Sequence, residues 1–207
     1  AELSGRVVGF QADVSSEESM KDLIKNAADT LGGLNGIINN AGIIRDGLLA
    51  KKDRKTGDVR TLSMSKWQKV IDVNLTGVFL GSREFADWHI NNGGTDGVII
   101  SISSISRHGN QGQSNYSAAK SGIVAMTTLW GAELARYGIR TGAIAPGFTM
   151  TPILEGMPPE MLDHLKKPVP LRRIGRPEEV FLAVKFIIEC GYFTGRCIDV
   201  DGGLRLA

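Results

Sequence analysis

Cysteine is nearly absent from this 207-residue chain. Cys190 and Cys197 supply neither a disulfide framework nor a metal-site spacing, so both read as reduced thiols. His89, His108 and His164 are scattered and show no ligand pattern, and no metal is expected. Charge of one sign is lacking too. Twenty-four Lys and Arg against 22 Asp and Glu leave +2, too little to argue for nucleic acid or a membrane surface as partner. There is no signal-peptide pattern and no apolar stretch long enough to span a bilayer. The expectation is a soluble cytoplasmic protein. Internal repeats and low-complexity segments are missing, as is any Thr-Gly-x-x-x-Gly-x-Gly run.

What is present points to one domain with a real core: 42% hydrophobic residues, and 26 glycines suited to tight βα turns. Strand-like runs lie at residues 6–12, 35–39, 97–103, 139–145 and 197–200. Helical stretches lie near 16–31, 65–91, 115–137 and 177–189. Their alternation predicts an α/β fold with a doubly wound parallel sheet.

Within Asn115-Tyr116-Ser117-Ala118-Ala119-Lys120, a tyrosine and a lysine stand four apart. On a helix they share one face, about 5–6 Å apart at Cβ. An ammonium beside a phenol favours phenolate, so Tyr116 is expected to have a lowered pKa and to exchange a proton near neutral pH. Upstream, the β-branched run from Gly97 ends in Ser103-Ser104, at the carboxyl end of a buried strand, where open α/β sheets bind ligands. A serine there can donate a hydrogen bond to a substrate oxygen, or simply start a turn. Another short strand runs into Asn39-Asn40-Ala41-Gly42, whose small residues allow close approach of backbone to a ligand. Asn74 is a polar residue inside an amphipathic helical stretch.

Together these residues resemble the short-chain dehydrogenase/reductase family. The match comprises Asn39-Asn40-Ala41-Gly42, Asn74, the serine pair, Tyr116-x-x-x-Lys120, and Pro146-Gly147 with Thr149 and Thr151, in order along the whole chain. The resemblance implies a Rossmann-like fold and a tetrad that moves hydride between a nicotinamide and a carbonyl or alcohol carbon. Tyr116 would be the acid or base and Lys120 would hold the cofactor ribose. A serine would bond the substrate oxygen, and Asn74 would order a proton path. The usual spacing of thirteen to the tyrosine favours Ser103, whereas strand alternation and the turn into Gly109-Asn110 favour Ser104, which is the choice made here. Asp13 and Val14 would contact the adenine side of NADP or NAD, NADP being slightly favoured. Asp13 also fits an ordinary helix-start signal. Asn39, Ala41, Gly42, Pro146, Gly147, Thr149 and Thr151 complete the implied cofactor contacts.

The chain departs from the family in lacking the glycine-rich turn that cradles a pyrophosphate, and the family's second strand. The expectation is a single NAD(P)-binding domain over 1–207 without its first two βα units, preceded in the active molecule by about fifty residues that carry that turn. Runs Ala41–Leu49 and Gly109–Tyr116 look like those of relatives that reduce 3-oxoacyl groups on a carrier. The expected substrate is therefore a small-molecule or carrier-bound 3-oxoacyl thioester. Alternatives are a sugar, steroid or secondary alcohol, or a scaffold that binds no cofactor. The polar loop over 43–64 is longer than usual, and its Lys51, Lys52, Arg54 and Lys55 form a basic patch. Residues 149–175, rich in Pro and Met, would form a mobile lid over the substrate as the resemblance implies, or else an ordinary surface connection. Small residues on the helix of Tyr116 fit packing against its own sheet, and the resemblance implies a homotetramer built partly through it.

Overall fold

A computed structural model describes residues 5 and 7–205, the side chain of Ile153 excepted. Four parallel strands, β1 (Gly36–Asn39), β4 (Gly97–Ile102), β5 (Ile139–Pro146) and β6 (Arg196–Val200), form the sheet in that spatial order. Strands β2 (Ala50–Lys52) and β3 (Val59–Thr61) pair separately as an antiparallel hairpin. The strand side-chain period of two divides the core between the two sheet faces. Ile99 packs with Ile24, Phe85 and Ala86 on one side, beneath α1 (Glu17–Leu31) and α3 (Gly77–Asn91). Its neighbour Ile100 packs with Ala183, Val184 and Ile187 of α7 (Pro177–Glu189) on the other. Helix α4 (Ser114–Glu133) lies on β5 through buried Ala119, Ile123 and Thr127, four apart. Helices on both faces of a parallel sheet make the doubly wound, Rossmann-like α/β fold.

Several expected elements differ. Arg6 lies outside the described residues, and residues 7–12 are exposed and pair with no strand among the described residues, so the strand expected there is not formed among them. A strand exists only through its ladder, and among the described residues β1 pairs with β4 alone, leaving Ile38 49% exposed. The helix read over 65–91 is interrupted: α2 (Met64–Ile71) passes through a π-turn at Asp72–Thr76 before α3 begins. The stretch 149–175 carries two short helices, α5 (Pro152–Glu155) and α6 (Pro159–Lys166), each started by a proline in its first turn. No helix among the described residues is long and apolar enough to cross a membrane.

Candidate active site

The π-turn is the local device that places Asn74. One extra residue in the turn rotates a polar side chain inward, and such insertions are frequent at functional sites. Asn74 is fully buried, and its carboxamide clasps the backbone of Ile43 at both ends. Its Oδ1 accepts from the Ile43 N–H at 2.7 Å and its Nδ2 donates to the Ile43 carbonyl at 2.8 Å. Asn74 therefore fixes the chain just after Gly42. A Cβ added at Gly42 would lie 3.3 Å from Asn74 Oδ1 and 3.8 Å from Lys120 Nζ, so the glycine keeps that corner open.

The two serines at the end of β4 divide their work. Ser103 is buried and donates to the Lys120 carbonyl at 2.7 Å, tying strand to helix. Ser104 starts the short 3-10 turn Ile105–His108. Its Oγ accepts from the Ser106 N–H at 3.1 Å, which leaves its own proton to give away, and it neighbours the Tyr116 hydroxyl. The turn is fastened again by Arg107, whose carbonyl accepts from Ser121 of α4. The Arg107 guanidinium reaches Asp199 of β6 at 2.6 Å.

Lys120 is only 4% exposed; its Nζ donates to the Ile102 carbonyl at 2.6 Å and stands 5.4 Å from the Tyr116 ring centre. Burial lowers its pKa to about 8. The ammonium has two further N–H bonds without an acceptor among the described residues. The expected lowering of the Tyr116 pKa is not what the structure gives. Tyr116 is raised above its ordinary value, chiefly by burial, while the Ser104 hydroxyl pulls it down and the Asp46 carboxylate pushes it up. Lys120 turns its charge to the Ile102 carbonyl, and desolvation of phenolate wins.

The cofactor-side candidates fall into separate groups. Val14 packs on Gly77 and lines, with Asn39 and Ala41, an apolar cavity of about 150 Å³ at the end of β1. Asn39 does not point outward as a free ligand, since its Nδ2 donates to Ser82 at 3.0 Å and Ser101 at 3.3 Å. The Asp13 carboxylate accepts from the Ser15 N–H and hydroxyl, which hold its pKa below the usual value; Ser16, not Asp13, caps α1. Pro146 ends β5, and Gly147 lies so close to Asp201 that a Cβ would meet its Cα at 2.8 Å. Thr149 bridges to Gly175, whereas Thr151 is exposed, with a hydroxyl that makes no hydrogen bond among the described residues.

The apolar cavity, the open corner at Gly42 and the unmet donors of Lys120 fit the adenine and ribose parts of a nicotinamide dinucleotide, while the sequence carries no glycine-rich turn for its pyrophosphate. An apolar slot suits an adenine, and a buried ammonium with spare donors suits ribose hydroxyls. Sequence reasoning missed the stitching of the site. Asn115 Nδ2 donates to the carbonyls of Arg45 and Lys66, both at 3.1 Å, and its Oδ1 accepts from the Tyr116 N–H at 2.8 Å. Gln113 donates to Asp46 at 3.2 Å. These partners lie up to 70 residues apart, and no local periodicity signals them.

A family model described as enoyl-(acyl carrier protein) reductase matches residues 1–205. A 3-oxoacyl-[acyl-carrier-protein] reductase from Thermotoga maritima is 36% identical over 98% of this chain and 78% of its own length. A (3R)-3-hydroxyacyl-CoA dehydrogenase from Rattus norvegicus is 37% identical over 97% of this chain and 74% of its own. An acetoacetyl-CoA reductase from a Synechocystis strain is 36% identical over 94% and 78%. Likeness of this extent, over a sheet that brings a serine, a tyrosine and a lysine to one edge, places the chain in the short-chain dehydrogenase/reductase family of oxidoreductases.

Proposed function

We infer that the protein is an NAD(P)-dependent reductase of 3-oxoacyl thioesters, with NADP(H) as the favoured nicotinamide. The observation that carries the reading is the convergence of Ser104 and Lys120 on Tyr116. The bound cofactor would supply hydride to the carbonyl carbon. Ser104, its lone pair engaged by the Ser106 N–H, donates its proton's hydrogen bond to the carbonyl oxygen. Tyr116 gives that oxygen its proton, and in the reverse direction takes one from the alcohol. With its pKa above the ordinary value, Tyr116 is protonated at neutral pH, the state a general acid needs. Lys120 holds ribose hydroxyls with its spare donors, and Asn74 holds the Ile43 backbone beside them. Asp13, Ala41, Val14 and the Pro146–Thr151 segment serve the cofactor, the first of these after surrendering its bonds to Ser15, while Asn39, its carboxamide held by Ser82 and Ser101, contributes through its backbone.

The substrate class is drawn from chemistry common to the relatives' names, an acyl chain oxygenated at carbon 3 and carried on a thioester. Exposed Ala118 and Ala125 on α4 suit the homotetramer proposed with it. The test is a substrate panel with either nicotinamide: acetoacetyl thioesters should exceed sugars, steroids and simple ketones in kcat/KM. Preference for a sugar or steroid overturns the substrate class, and no binding of either nicotinamide overturns the enzyme.

A further inference from the structure

The β2–β3 hairpin concentrates charge that the rest of the molecule does not have. Residues 50–61 hold five cations (Lys51, Lys52, Arg54, Lys55, Arg60) against Asp53 and Asp58, so this short piece exceeds the chain's whole net charge of +2. Both strands are exposed along their full length. Lys51 stands directly opposite Arg60 in the ladder. Like charges in register destabilise a sheet, and a lone two-stranded hairpin is marginal in water, so the pairing is poorly explained as structure. Asp53 does not relieve it: its carboxylate caps the turn through the N–H groups of Lys55 and Thr56 and reaches Arg60 only at 4.0 Å. Lys51, Lys52, Arg54 and Lys55 have no ion-pair partner among the described residues.

The hairpin is anchored at the active site. The Gly47 N–H donates to the Gly112 carbonyl at 2.8 Å, and Gly47 bridges to Gln113, three residues before Tyr116. Lys66 donates to the Asp46 carbonyl at 3.1 Å on the returning side. Beside the cations stand exposed Leu49, Val59 and Met64, the first 74% exposed. None of residues 48–61 is buried, so there is no enclosed site for a small anion. An exposed basic surface with apolar side chains beside it, rooted next to the tyrosine proposed as the acid, fits a macromolecular face of opposite charge.

We propose that this hairpin docks the acidic face of a carrier protein that presents the acyl group as a thioester. The inference rests on the thioester reading and adds the partner and the surface that receives it. The test compares the wild-type protein with the triple variant Lys51→Ser, Arg54→Ser, Lys55→Ser at low ionic strength. Acetoacetyl groups are offered on acyl carrier protein, on coenzyme A and on N-acetylcysteamine, and binding of the unloaded carrier protein is measured in parallel. The variant should lose about tenfold or more in kcat/KM on the carrier protein, mainly through KM, and its carrier affinity should fall likewise. Its rate on the N-acetylcysteamine thioester should stay within about twofold of wild type. Unchanged carrier kinetics and binding overturn the proposal. An equal loss on coenzyme A also overturns it, in favour of phosphate capture. A wild type that reduces no thioester but does bind the carrier through the hairpin would contradict the substrate reading alone, and one that does neither would contradict both.

Discussion

Lys120 carries two demands that oppose one another. Its ammonium is useful near Tyr116 because it is close and shielded, yet burial penalises that same charge. Its folded pKa of about 8 lies below the ordinary 10.5, so between those values the unfolded chain binds a proton that the folded chain has released. Stability therefore rises with pH across this window, and the burial cost is complete below about 8. A Lys120→Met variant should lack that rise. The free-energy advantage of wild type over variant should grow by about 2–3 kcal/mol between pH 8 and 10, as read by denaturant unfolding. A pH-independent difference would show that Lys120 is not desolvated. Activity should move the other way, with reduction declining as pH passes about 8 and Lys120 loses its charge. Asn74 was legible at this scale as a polar residue within a helical stretch, and Gly42 as a small residue that allows close approach of backbone to a ligand. The division of Ser103 and Ser104 was not decidable from spacing against alternation; it appears only with the Lys120 carbonyl and the Tyr116 hydroxyl in view.

Among the elements, the 3-10 turn after Ser104 decides how well the serine is aimed. Arg107 fastens it to β6 through Asp199 and to α4 through Ser121, three elements meeting on one residue. Small displacements of a positioned group are costly in rate. Arg107→Met should therefore lower kcat about tenfold while KM changes less than threefold, and should shift the pH profile of alcohol oxidation upward as Ser104 ceases to help Tyr116 ionise. Arg107→Lys should restore part of the rate. A variant that merely melts earlier, with its kinetics and pH profile intact, would make Arg107 structural. This turn had no sequence signature, because its partners are 14 and 92 residues away. Helix α7 did: Pro177 at its start and the Glu178–Glu179 first turn mark it, and its bounds match residues 177–189. The π-turn at 72–76 was invisible inside an unbroken helical pattern, since the Ile43 backbone that Asn74 meets there lies 31 residues away in the chain. The hairpin was read as a long polar loop with a basic patch, because its strands are only three residues each and Ala50-Lys51-Lys52 shows no alternation.

At the scale of the whole molecule, the fold was legible because apolar runs at residues 97–103 and 139–145 are too β-branched to be anything but buried strands, and helices separate them. Residues 7–12 are also largely apolar, yet they have no ladder partner among the described residues, which composition alone does not reveal. The parallel sheet sets the ends of β1, β4 and β5 on one edge, and the groups proposed for chemistry collect there. The account then stands on one proton donor. Tyr116→Phe removes a hydroxyl and keeps the ring, so the fold and nicotinamide affinity should be retained. The decisive measurement is the rate of nicotinamide oxidation with an acetoacetyl thioester, wild type against Tyr116→Phe. A loss of about 10²–10⁴-fold is the result this mechanism requires. Retention of more than about a tenth of the wild-type rate would contradict it.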